Sequence, residues 1–118
     1  MIWGLADQAS LSAAARDVLE GEASVLVSAV SAYEVALKHE IGRLEVAAPL
    51  LRDFEGAVTK VGFAQVPVTI RVALAAGRLP LVHRDPFDRM LAAQAIENGW
   101  TLLSKDRQLD AFGVRRLW

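Results

Sequence analysis

Short apolar segments alternate with helical segments along this chain, and this alternation restricts the folds that it can adopt. Four apolar segments have the length of strands and are bounded by turn residues, at residues 24–28, 63–68, 100–104 and 114–118. Helical segments lie before and between them, at residues 11–22, 31–42, 49–61, 70–79 and 85–98, and a helical turn follows Asp106. Strands that alternate with helices predict an α/β fold with a mostly parallel sheet, formed by residues 1–118 as a single domain.

Polar residues mark where several of these helices begin. Ser31 and Glu34 have the spacing of a capping box, in which the serine caps the helix and the glutamate reaches back to the serine amide. Thr69 is placed to cap residues 70–79, and Asp85 precedes a proline that suits the first helical position. A proline inside residues 63–68 predicts that this strand lies at an edge of the sheet.

The composition narrows the classes of function. The chain of 118 residues is 53% hydrophobic and has no cysteine, which excludes a disulfide scaffold, a zinc–thiolate site and a thiol nucleophile. The sequence has no evident signal peptide or transmembrane segment, and we expect a cytoplasmic protein. The formal net charge is −1, so any contact with nucleic acid requires a local basic patch rather than bulk charge.

Three acidic residues, Glu34, Asp88 and Asp106, lie near the predicted starts of helices. Glu34 follows the strand at residues 24–28, and Asp106 follows the strand at residues 100–104. Side chains at the carboxyl ends of parallel strands can meet in space although they are far apart in sequence. Because carboxylate oxygens are the ligands that Mg²⁺ and Mn²⁺ prefer, the three acids predict a divalent-cation site suited to phosphodiester chemistry.

Each acid also has a purely structural interpretation. Glu34 can serve the capping box or pair with Lys38 one helical turn later, and Asp106 can cap the turn that follows it. Asp85 alone can cap the helix at residues 85–98, so capping leaves Asp88 unexplained, and Asp85 stays a possible additional acid. Capping gives no reason for all three acids to gather at one end of the sheet, and this joint pattern favours the cation site.

The histidines and tryptophans are expected to lie outside the site. His39 and His83 lack the spacing of a metal-binding pair, and we expect them at the surface or at helix ends. Trp3, Trp100 and Trp118 are expected to pack in the core or at the sheet edges rather than to stack on bases. The sequence contains no GxGxxG, P-loop or GxSxG motif, so dinucleotide binding, P-loop chemistry and serine hydrolysis have no support.

The segments VLVSAVSAYEVALKHEIGRLEV, PLVHRDPFDRMLAAQAIENGWTLLSKD and FGVRRLW, taken in this order, resemble the PIN-domain family. Within that family they are most similar to the VapC-like toxins of bacterial type II toxin–antitoxin pairs. The resemblance implies a three-layer α/β/α fold and a metal-dependent endoribonuclease. It makes Glu34, Asp88 and Asp106 the second, third and fourth acids that hold Mg²⁺ or Mn²⁺, and it places Ser104 where a Ser or Thr orients the last acid. It also implies RNA as substrate, a cognate antitoxin as partner, and a homodimer.

The sequence departs from this family at its beginning. The family opens with an apolar central strand that ends in the first metal-binding Asp, whereas this chain begins at MIWGLAD, and Asp7 comes too late to fill that role. We therefore interpret the chain as truncated at its N-terminus, without the first strand and the first acid. This predicts a sheet that is rearranged, swapped or completed by a partner chain. It also predicts weak cation binding and an impaired enzyme.

Two alternatives stay open beside the nuclease interpretation. One is a catalytically impaired PIN-fold module that still binds antitoxin or RNA. The other is a generic α/β domain whose acids are helix caps lying more than about 10 Å apart, too far to share one cation. In the nuclease interpretation, basic side chains near the acids contact RNA phosphates; the candidates are Lys38, Arg43, Arg84, Arg89, Lys105 and Arg107.

Overall fold

The computed structural model describes residues 2–3, 24–42 and 51–118. The elements with defined bounds in these residues are, in chain order, β1 (Ile2–Trp3), β2 (Leu26–Ser28), α1 (Ala29–Glu40), α2 (Phe54–Lys60), β3 (Ala64–Val66), α3 (Ile70–Arg78), α4 (Pro86–Asn98), β4 (Leu102–Leu103), a 3₁₀ helix (Arg107–Phe112) and β5 (Arg116–Leu117). The helix predicted at residues 11–22 lies outside the described residues. The same is true of Pro49, the predicted start of the helix at residues 49–61.

The strands form one five-stranded sheet in the order β3-β2-β1-β4-β5, and all four pairings are parallel. The predicted α/β fold with a parallel sheet is therefore confirmed, and β3 lies at an edge as its proline indicated. The strand order changes direction between β1 and β4. At such a switch point the connections leave toward opposite sides, which opens a crevice at the carboxyl ends of the strands, where α/β proteins bind ligands.

The centre of the sheet differs from the expectation of an absent strand. Ile2 and Trp3 form β1, and Ile2 is in register with Leu26 of β2 on one side and with Leu102 of β4 on the other. Without β1, the facing backbone groups of β2 and β4 would lack partners, at a cost of about 1–3 kcal/mol for each buried group. Two residues are enough to bridge them because β4 is equally short. The prediction of a sheet that is rearranged, swapped or completed by a partner is therefore wrong for the strands described.

Helix α1 begins earlier than the capping box predicted. Its N-cap is Ser28, whose Oγ accepts a hydrogen bond from the Val30 amide at 3.0 Å, so β2 passes directly into the helix. Ser31 is fully buried within the first turn and does not cap, which makes the capping-box interpretation of Ser31 and Glu34 wrong. Glu34 therefore lies in the second turn of α1, where capping does not explain it.

The other helix starts follow local hydrogen-bonding rules. Thr69 Oγ1 accepts a hydrogen bond from the Val72 amide at 3.2 Å, as predicted for the cap of α3. Asp85 Oδ1 accepts from the Phe87 amide at 2.9 Å and caps α4, again as predicted. Asp53 caps α2, so the single helix predicted over residues 49–61 is interrupted there.

Helix α4 lies at the centre of the core. Leu91, Ala92 and Ala95 of α4 pack with Leu102 of β4 and Phe112 of the 3₁₀ helix. The opposite side of α4 packs on α3 through buried small side chains that let the two helices approach closely. Trp100 packs partly buried against the main cluster, as expected for a core residue. Among the helices described, none is both long enough and apolar enough to cross a lipid bilayer.

A buried amide ties α4 to two other elements. Gln94 is 0% exposed, and its Oε1 accepts a hydrogen bond from Ser28 Oγ at 2.5 Å. Its Nε2 donates to the Pro67 carbonyl at 3.2 Å. Because the amide is satisfied on both sides, it holds the start of α1 and the β3–α3 connection against α4 at a low desolvation cost.

Candidate metal centre

Three side chains from separate parts of the chain meet beside the carboxyl end of the sheet. His83, Asp88 and Asp106 each present one ligand atom, and these atoms lie within 4.8 Å of one another. Asp88 is the third residue of α4, Asp106 follows β4, and His83 lies in the connection between α3 and α4. The generic α/β alternative predicted three acids more than about 10 Å apart, and the approach of Asp88 and Asp106 contradicts it for this pair.

His83 and Asp88 form the closest pair in this cluster. His83 Nε2 lies 2.7 Å from Asp88 Oδ2, and both side chains are more than four-fifths buried. An ionised carboxylate only accepts hydrogen bonds, so Nε2 carries the proton whenever Asp88 is charged. His83 is largely buried, so the expectation of a surface position is wrong, and it lies two residues before Asp85, the cap of α4. His83 contacts Asp88 from the connection that precedes α4, although the two lack a known metal-binding spacing.

Asp106 is held by hydrogen bonds with a residue that follows it and with a residue that precedes it in the chain. Its Oδ1 accepts a hydrogen bond from the Gln108 amide at 3.0 Å, which caps the 3₁₀ helix. Its own amide donates to Ser104 Oγ at 3.2 Å. Ser104 is buried, and its carbonyl accepts a hydrogen bond from Arg116. Arg116 also donates to the carboxylate of Asp110 through two nitrogens. Ser104 therefore orients the backbone of Asp106, in line with the position that the family resemblance gave it.

Glu34 lies close to these acids but outside the tight cluster. Its side chain is only 14% exposed and pairs with Lys38 Nζ at 3.4 Å. Burial raises the pKa of Glu34, Lys38 opposes that rise, and the nearby charges of Asp88 and Asp85 add to it. The three predicted acids are therefore electrostatic neighbours, although the ligand atoms within 4.8 Å of one another come from His83, Asp88 and Asp106.

The pKa of Asp88 is also raised. Burial is the largest cause, the hydrogen bond from His83 lowers the pKa, and the charges of Asp85 and Asp106 raise it. Burial is the largest cause of the raised pKa of Glu34 and of Asp88, and the charges of neighbouring carboxylates add to it, so both acids lie in a partly desolvated place with other negative charges nearby. A divalent cation would offset these charges, so these side chains fit such an ion in charge and in ligand type.

The spacing within the cluster also fits a cation. Neighbouring ligands of an octahedral ion with bonds of about 2.1 Å lie about 3.0 Å apart, and opposite ligands about 4.2 Å apart. The ligand atoms of the cluster lie within 4.8 Å of one another, a limit slightly above the separation of opposite ligands, whereas the 2.7 Å contact between His83 and Asp88 is a hydrogen bond. Asp85 is less suited to this role because its Oδ1 already accepts two amide hydrogen bonds as the cap of α4.

The residues predicted to contact RNA phosphates differ in their burial and in their partners. Arg89 is 8% exposed and donates to four backbone carbonyls, so the prediction that it holds RNA phosphates is wrong. Lys38 is paired with Glu34, and Arg43 lies outside the described residues. Three candidates are exposed in the region of the acids, namely Arg84, Lys105 and Arg107.

A parallel sheet with carboxylates and a histidine gathered at the carboxyl ends of its strands defines an α/β domain with a candidate divalent-cation site. The sequence profile of the PIN domain matches residues 1–114. The chain is also 37% identical over 108 residues to Ribonuclease VapC22 of Mycobacterium tuberculosis (strain ATCC 25618 / H37Rv), a match that covers 91% of this chain and 82% of that protein. This chain belongs to the PIN domain family, as its sequence resemblance indicated.

The fold is also found in a solved structure. A chain in the structure of FitAB bound to an IR36 DNA fragment is similar to this one with a TM-score of 0.58 and 19% sequence identity. The match covers 99% of this chain and 94% of that chain. At this level of identity the likeness concerns the fold alone, and it agrees with the predicted α/β architecture.

Proposed function

We propose that this protein is the toxin of a type II toxin–antitoxin pair and cleaves RNA phosphodiester bonds as a divalent-metal-dependent endoribonuclease. The observation that carries the proposal is the approach of His83, Asp88 and Asp106 to within 4.8 Å at the switch point of a parallel sheet. Similarity to a protein named as a ribonuclease, over 91% of this chain, supports the same reaction.

Each side chain has a proposed role. Asp88 and Asp106 hold the cation directly, and Glu34 completes the negative charge from the facing helix α1. Ser104 fixes the backbone of Asp106 through the 3.2 Å hydrogen bond to its amide. When bound at such a site, Mg²⁺ or Mn²⁺ activates water and offsets the charge of the phosphate. His83 keeps Asp88 in place through the 2.7 Å contact.

The proposed partners follow from the surroundings of the site. Arg84, Lys105 and Arg107 are exposed, and we assign to them the binding of RNA phosphates, which is independent of base sequence and sensitive to salt. A cognate antitoxin and a second copy of the chain are the proposed protein partners, and the cytoplasm is the proposed compartment.

The alternative is an impaired PIN-fold module that binds antitoxin or RNA without cutting. It is favoured by one sequence observation, namely that Gly4 follows the central strand β1 where the family resemblance calls for an acid. A site with fewer carboxylates binds a hard cation more weakly, so this alternative predicts RNA binding that does not depend on Mn²⁺.

Cleavage of a labelled single-stranded RNA with Mn²⁺ tests the two functions. We expect wild-type protein to cut, and Asp88→Asn and Asp106→Asn to lose at least about 100-fold in rate. Glu97→Gln is the matched control, because Glu97 is also on α4 but pairs with Arg71 on the outer surface. Equal background cleavage in all four proteins, with RNA still bound, would leave only the binding function.

A further inference from the structure

Arg89 is a buried cation whose partners are backbone carbonyls. Its guanidinium donates to the carbonyl oxygens of Leu79 at 2.7 Å, Pro80 at 2.8 Å, His83 at 3.0 Å and Gly77 at 3.3 Å. None of the ion pairs identified in the described residues involves Arg89, so carbonyl dipoles are the main compensation for its charge. Such an arrangement is sensitive to geometry, because a buried charge that loses its hydrogen bonds is costly.

Gly77 lies in the last turn of α3, and the other three carbonyls belong to the connection between α3 and α4, in which Leu79 packs against the core. Leu81 and Val82, in the middle of the connection, are 67% and 70% exposed. Hydrogen bonds from Arg89 hold the connection before and after this exposed stretch, at Pro80 and at His83. The backbone of the connection is therefore held by hydrogen bonds from Arg89 on both sides of this stretch.

Two consecutive residues of α4 hydrogen-bond to His83, one at its imidazole and the other at its backbone carbonyl. Asp88 contacts the imidazole Nε2 at 2.7 Å, and Arg89 binds the His83 carbonyl at 3.0 Å. Phe112 lies beneath both groups: its ring centroid is 5.9 Å from that of His83, and the guanidinium carbon of Arg89 lies 5.8 Å from the same centroid. The imidazole is thus fixed by its ring nitrogen, by its backbone and by an aromatic ring.

We propose that Arg89 is a positioning residue for the metal centre, which fixes the α3–α4 connection so that His83 is held against Asp88. The proposal deepens the function given above and rests on it for the cation itself. Arg89 acts through His83 and Asp88 and does not touch RNA or the cation. Loss of its hydrogen bonds would release the connection and let the imidazole leave the cluster, while the rest of α4 stays packed in the core.

Two readouts test this role in Arg89→Lys and Arg89→Met. The chain has only two histidines, so His39→Gln assigns the His83 ring signals in a long-range ¹H–¹⁵N NMR spectrum. We expect one fixed Nε2–H form of His83 in the wild type without cation and an averaged form in Arg89→Met. We also expect Mn²⁺ affinity, measured by EPR of the free ion, to fall at least about ten-fold in Arg89→Met. Arg89→Lys keeps the charge but not the fork of donors, so we expect its Mn²⁺ affinity to lie between those of wild type and Arg89→Met.

Arg71→Met is the matched control, since Arg71 is an exposed arginine of α3 whose partner is Glu97; it should change neither readout. An unchanged His83 signal together with Mn²⁺ affinity within two-fold in a folded Arg89→Met would overturn the proposal. If Arg89→Met does not fold, Arg89→Lys decides by the same two readouts. If wild-type protein binds no Mn²⁺, the proposed function fails, and the His83 signal alone still decides the role of Arg89.

Discussion

Replacing Asp88 by asparagine should stabilise the cation-free protein and abolish its stabilisation by Mn²⁺. At the 4.8 Å limit of the cluster, the charges of Asp88 and Asp106 repel by about 3.5 kcal/mol at an effective dielectric constant of about 20, and by about 0.9 kcal/mol in bulk water. The Asp88 side chain is 18% exposed, so the true value lies between these limits. Asparagine keeps an oxygen for His83 but weakens that hydrogen bond by about 1 kcal/mol. Subtracting this loss from the two limits gives a change of about −0.1 to +2.5 kcal/mol in the free energy of unfolding, and we expect a gain of about 1 kcal/mol, near the middle of that range.

In Mn²⁺, by contrast, wild type should be more stable than Asp88→Asn. A ligand present at 100 times its dissociation constant stabilises the native state by about 2.7 kcal/mol, and Asp88→Asn lacks a carboxylate to receive it. Thermal unfolding in EDTA and in Mn²⁺ measures both effects, since 1 kcal/mol corresponds to about 4 °C for a domain of this size. We expect the variant to melt higher than wild type in EDTA and lower in Mn²⁺, with Glu97→Gln behaving as wild type.

The pH dependence gives a second check on the same reasoning. The folded-state pKa of Asp88 is raised, chiefly by burial and further by Asp85 and Asp106. Between the unfolded and the folded pKa, the native state therefore binds more protons than the unfolded state. The stability of the cation-free wild type falls as pH rises through that window and is higher below it. Asp88→Asn should lose this contribution. A variant that is at least 1 kcal/mol less stable than wild type in EDTA would refute the argument from charge crowding.

Two further predictions concern the neighbouring acids. Because burial raises the pKa of Glu34, Mn²⁺ binding should release protons, and it should weaken as pH falls through that raised pKa. Calorimetry in two buffers of different ionisation enthalpy should show that Glu34→Gln releases fewer protons than wild type. Equal proton release in the two proteins would contradict the participation of Glu34. Asp85→Ser keeps a cap for α4 but removes the charge, so stability should stay within about 0.5 kcal/mol of wild type and RNA cleavage should persist; loss of Mn²⁺ affinity in this variant would instead make Asp85 a ligand.

Local hydrogen bonding explains which parts of the fold could be predicted from the sequence. Thr69 and Asp85 cap their helices through amides two or three residues away, so a short window of sequence contains the whole interaction. Ser28 and Ser31 both precede an alanine and both are buried, so the choice of Ser28 as the cap depends on where β2 ends in the folded sheet. β1 was missed because two residues carry no periodicity, and its position depends on pairing with strands far along the chain.

In the candidate site, too, the residues set by local sequence could be predicted, and those set by contacts with other elements could not. Asp88 and Asp106 could be predicted because each lies at a recognisable helix start, Asp88 in the first turn of α4 and Asp106 as the cap of the 3₁₀ helix. His83 could not, since its approach to Asp88 depends on the course of the α3–α4 connection. Arg89 was assigned to RNA because it is a basic residue beside Asp88. Three of its four carbonyl partners lie in that connection and the fourth lies in the last turn of α3, so they meet Arg89 only in the folded protein.

Helix α4 joins these observations, because its polar residues serve the fold and the site in different ways. Gln94 and Arg89 point their hydrogen bonds into the protein, and each satisfies groups that would otherwise be buried without partners. Asp88, next to Arg89, instead brings a charge toward other acids, which the cation-free fold tolerates at a cost. Substitutions at Asp88 should therefore separate cation binding from stability, whereas substitutions at Arg89 or Gln94 should lower stability first. The same helix thus contains two residues that stabilise the packing and one whose charge a cation would offset in the proposed function.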